Sequence, residues 1–64
     1  MSNMAQIEIC SESGTWIFYG TCSKQSSFQI QQMMNGALKQ TPWAKKARAL
    51  DEQTKELLNM EFKS

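Results

Sequence analysis

Apolar residues recur in the middle of the chain at Ile30, Met33, Met34, Ala37 and Leu38, the i, i+3, i+4, i+7, i+8 stripe of an amphipathic helix. Ser26 stands where an N-cap belongs and Gln29 follows three residues later, as in a capping box, so the helix is expected to begin near Ser27. Thr41 precedes Pro42 and is pushed toward an extended conformation. These signals predict a helix over about 27–40, weakened by about 1 kcal/mol at Gly36 relative to alanine.

Before the helix, β-branched and aromatic residues surround Ser13-Gly14, a turn signal, which predicts strands over about 5–11 and 16–22. With Ser13 and Gly14 as the loop, Ile9 lies opposite Phe18 and Ser11 opposite Trp16. Alternation then gathers Ile7, Ile9, Trp16, Phe18 and Cys22 on one face. The other face receives Cys10, Ile17 and Tyr19 beside Gln6, Glu8 and Thr21.

The last third admits two readings. Helix formers fill 44–60, with Arg48/Glu52 and Asp51/Lys55 spaced for i, i+4 pairing. The polar run from Asp51 to Glu56, however, offers such a helix only Thr54 for its buried side over more than a turn. A hairpin over about 45–62 takes the run as its loop and sets Leu50 opposite Leu57, Ala49 opposite Leu58 and Ala47 opposite Met60, with Phe62 continuing that face. Lys46 then meets Glu61, and Arg48 meets Asn59, on the other side. The hairpin is preferred, and the expected architecture is a small α+β domain of order β-β-α-β-β, an antiparallel sheet with one helix on one face. A β-hairpin followed by two helices is the alternative.

Sixty-four residues make one domain, and a core of this size supplies only about 3 to 5 kcal/mol of net stability. Asn3, Gln6 and Glu8 interrupt the stretch where an export signal would carry a basic end and an apolar run. A reducing, cytoplasmic setting with Cys10 and Cys22 as free thiols is therefore expected. No apolar run reaches the roughly 18 residues of a membrane span.

Histidine is absent, which removes the commonest general base and metal ligand. Two cysteines without other soft ligands do not make a zinc site. Asp51, Glu52, Glu56 and Glu61 read as a solvated turn rather than an acid–base pair. No enzyme activity, cofactor or metal is expected.

One helix covers one face only, and the uncovered face is expected to carry Cys10, Ile17, Tyr19, Leu50 and Leu57, an apolar patch of the kind that marks association. The first functional expectation is a non-enzymatic protein-binding, regulatory or accessory module that acts through this face or an edge strand and self-associates as a homodimer. The second is a small nucleic-acid-binding regulator using Lys39, Trp43, Lys45, Lys46 and Arg48, an aromatic among cations. A net charge of +1 makes nucleic acid the lesser expectation, and none of these features points to a membrane.

Overall fold

A computed structural model describes residues 3–63, in which strands β1 (Met4–Ser11) and β2 (Trp16–Ser23) precede helix α1 (Ser27–Gln40), and strands β3 (Ala44–Asp51) and β4 (Leu57–Phe62) follow it. The order is the expected β-β-α-β-β, and the hairpin reading of the last third holds. Ser26 enters α1 in an extended conformation and its Oγ accepts the Gln29 amide hydrogen at 3.2 Å. The Ser26 amide turns instead to the Ser23 carbonyl. At the other end the Thr41 amide donates to the Ala37 carbonyl, and the chain turns into β3.

All strand pairs are antiparallel, in the order β2-β1-β3-β4. The two central strands alternate large and small residues beneath the helix: Ile7 lies beside Ala49, and Ile9 beside Ala47. The alanines leave room for Ile30, Met34, Ala37 and Leu38, and together with Ala5, Cys22 and Ala44 these residues form the core. Met33 and Tyr19 pack at its margin. Met33 lies over Gly20, where a Cβ would come within 3.8 Å of its sulfur.

Register departs from expectation in both edge strands, for the same reason. From Ala5↔Cys22 to Ile7↔Gly20 the first hairpin follows the register set by a Ser13-Gly14 loop, but the next pairs are Glu8↔Phe18, Ile9↔Ile17 and Cys10↔Trp16. Tyr19 is the extra residue of a β-bulge, and one added residue sends every side chain beyond it to the opposite face. The second hairpin repeats the event. Leu50↔Leu57 is as expected, whereas Leu58 is skipped and Ala49↔Asn59, Arg48↔Met60, Ala47↔Glu61 and Lys46↔Phe62 follow.

The turn between β3 and β4 is organised by Asp51. Its Oδ1 accepts the Gln53 and Thr54 amides at 2.9 and 3.2 Å, and its Oδ2 accepts Lys24 Nζ at 2.6 Å. The turn closes through Lys55, which holds a left-handed φ of 66°. Asp51 lies beside Ala5 on the helix side and is buried, so the expectation of a solvated turn carboxylate is corrected for this residue. The Lys24 ammonium, followed by the two turn amides, holds its carboxyl down at about 2 from 3.8.

Candidate functional site

Partners across an antiparallel ladder point to the same side, which assigns the faces. Ile9 belongs to the core, so Ile17 lies on the helix side; Cys10 lies on the other face, with Trp16 and Lys46 beside it. Successive rows of the open face are then Trp16–Cys10–Lys46–Phe62 and Phe18–Glu8–Arg48–Met60, and Gln6, Leu50 and Leu57 extend it toward the β3–β4 turn.

The expected interface residues are therefore divided. Cys10, Leu50 and Leu57 are on the open face as anticipated, but Ile17 and Tyr19 are not. The bulge turns Tyr19 toward α1, where its ring packs against the core and its hydroxyl donates to Gln40 Oε1 at 3.0 Å. Trp16, Phe18, Met60 and Phe62, placed under the helix by simple alternation, occupy the open face instead. Cys10 is only 1% exposed and Leu50 is also buried, whereas Phe18 (58%) and Phe62 (63%) present their rings to solvent.

A chain of polar contacts runs along the centre of the face. Lys55 Nζ donates to Gln6 Oε1 at 2.7 Å, Gln6 Nε2 donates to Glu8 Oε2 at 2.9 Å, and Arg48 Nε donates to Glu8 Oε1 at 2.8 Å. The Arg48 guanidinium is also stacked on Trp16, 4.0 Å from the ring centroid. Lys46 reaches between two rings, 5.4 Å from Trp16 and 6.0 Å from Phe62. Because β1 lies between β2 and β3, these contacts to Trp16 pass over Cys10, which accounts for its burial on a face the helix does not cover.

The cation cluster expected for nucleic acid does not form one surface. Lys46 and Arg48 share the open face, Lys39 lies in the last turn of α1, and Trp43 sits exposed in the turn before β3. Lys45 falls at the irregularity between Ser11↔Ala44 and Cys10↔Lys46. The aromatic partners of Lys46 and Arg48 are Trp16 and Phe62, residues that sequence reasoning had placed in the core.

The acidic residues separate in the same way. Glu61, opposite Ala47, is on the helix side and accepts Gln31 Nε2 at 3.1 Å, which corrects its expected pairing with Lys46. Both cysteines are free and buried, and burial pushes the Cys22 thiol upward. Among the described residues no group of three His, Cys, Asp or Glu is placed to hold a metal ion, and no helix is long and apolar enough to cross a membrane. The chain matches no family model, no curated protein and no solved structure.

Proposed function

We propose that the protein is a non-enzymatic binding module whose working surface is the open sheet face. The observation that carries this reading is the set of large side chains gathered there: the two bulges turn outward Phe18 and Phe62, which are exposed, and Trp16 and Met60, which are partly so, beside exposed Leu57, while helix α1 is committed to the other face. Concentrated apolar exposure on a small domain marks a place where something binds. Hydroxyl-radical footprinting tests it. Trp16, Phe18, Met60 and Phe62 are expected to lose reactivity when the protein is moved from buffer into an extract of its source cells, while Phe28, 69% exposed at the start of α1, retains it. Protection of Phe28 alone, or of none of these residues, counts against the open face.

A second reading concerns self-association and rests on the β2 edge. Its eight residues, Trp16 to Ser23, include no charge and no proline, two of the devices that discourage edge pairing, and the bulge at Tyr19 is the one such device it carries. Two copies joined antiparallel along β2 would extend the sheet about a two-fold axis. Sedimentation equilibrium on a concentration series, with Thr21→Lys on the edge, tests it: a monomer at high micromolar concentration removes this reading.

A further inference from the structure

Protein interfaces place apolar side chains at the centre and polar ones at the rim. The open face has the reverse arrangement. At its solvent-facing surface the central strands contribute Gln6, Glu8, Lys46 and Arg48, with Cys10 and Leu50 buried between them, and the edges contribute Trp16, Phe18 and Thr21 on one side and Leu57, Met60 and Phe62 on the other. Packing this face against a second copy would desolvate the charged centre, the Glu8–Arg48 pair and Lys46 included. A protein partner of ordinary interface composition meets the same obstacle.

An anionic, flexible ligand with flat rings meets no such obstacle. Of the carboxylates paired in the sheet, Asp51 and Glu61 lie on the helix side, and Glu8, on the open face, has one oxygen on Arg48 and the other on Gln6. Lys46 lies against rings rather than against an acid, and Lys55 brings a further cation to the face at Gln6. Exposed rings flank these cations on both edges, separated by three strand spacings of about 4.8 Å. Rings that accept stacked bases beside cations that accept phosphates are what a single-stranded nucleic acid requires. Bases already stacked in a duplex are not available to such rings.

We infer that the open face binds single-stranded nucleic acid, RNA or DNA, with the exposed rings of Phe18 and Phe62 as the stacking surface and Lys46 and Lys55 as phosphate contacts, while Arg48 stays paired with Glu8 and stacked on Trp16. This rests on the reading that the open face is the working surface. The face has few groups to read base edges, so binding tolerates many sequences.

Fluorescence anisotropy with labelled RNA and DNA single strands of about twelve nucleotides, and with the corresponding duplex, tests the inference. Single strands are expected to bind more tightly than duplex and to lose about tenfold in affinity between roughly 50 and 200 mM salt, as two or three phosphate contacts imply. Phe18→Ser and Phe62→Ser are each expected to weaken binding about tenfold. Lys46→Gln flattens the salt dependence, and Phe28→Ser changes nothing. Equal affinity for duplex, or indifference to both ring substitutions, overturns the inference. If the oligonucleotides fail while footprinting in extract still protects Trp16, Phe18 and Phe62, the nucleic-acid assignment falls and the binding face stands. If protection is also missing, both fall.

Discussion

Asp51 shows how one side chain can hold three segments together. It fastens the β3–β4 turn by accepting two amides, reaches Lys24 between β2 and α1, and sits beside Ala5 of β1. Its carboxyl is held at about 2 against 3.8 in its ordinary state, so its contribution to stability is complete above about pH 4 and is lost as pH falls through about 2. Asp51→Asn is expected to lower the melting temperature at neutral pH, with the gap to the unsubstituted protein narrowing between pH 4 and pH 2. Thermal melts followed by circular dichroism check this, and a gap that stays constant through that window contradicts it. Gly14 is a simpler case. It adopts a φ of 90° with open space around it, so Gly14→Ala is expected to cost about 1–2 kcal/mol through backbone strain alone, measurable by urea unfolding.

At the scale of elements, α1 was legible to its ends because its signals are local: a five-residue stripe, a cap at Ser26 and Pro42 after the last turn. Ser26→Ala is expected to destabilise the protein by about 1 kcal/mol, and the same unfolding experiment reads it. Strand existence was equally local. Strand register was not. Trp16, Ile17, Phe18 and Tyr19 are four large side chains in succession, so alternation alone must expose two of them whichever register is chosen. The bulge settles the matter by sending Tyr19 to Gln40 and the core margin while Trp16 and Phe18 turn outward. In β4 the adjacent leucines, Leu57 and Leu58, pose the same problem, and skipping Leu58 brings Phe62 beside Lys46.

For the whole molecule, the core and the open face should respond differently to substitution. Met34 is fully buried against the sheet, and Met34→Ala is expected to cost about 2–5 kcal/mol, most of the stability available to a domain of this size. Phe18→Ser and Phe62→Ser remove rings that already face solvent and are expected to change stability by no more than about 0.5 kcal/mol. Urea titration of the three variants decides the point. A large loss in either phenylalanine variant would show that the ring belongs to the structure rather than to a binding surface.

The sequence by itself determined the order of elements, the helix with its N-cap and its end before Pro42, and the two hairpins. Each of these follows from neighbouring residues and from the period of the element. The composition of the open face was decided only by tertiary structure. A strand's two faces are separated by a single residue of register, and nothing within β2 or β4 specifies that residue. It emerges only where β2 pairs with β1 and β4 with β3, and it accompanies contacts to α1, Tyr19 to Gln40 at the helix end and Glu61 to Gln31. Pairing and contacts alike join residues distant in the chain, and the shifted register makes a face expected to carry Ile17 and Tyr19 into one carrying Trp16, Phe18 and Phe62 around Lys46 and Arg48.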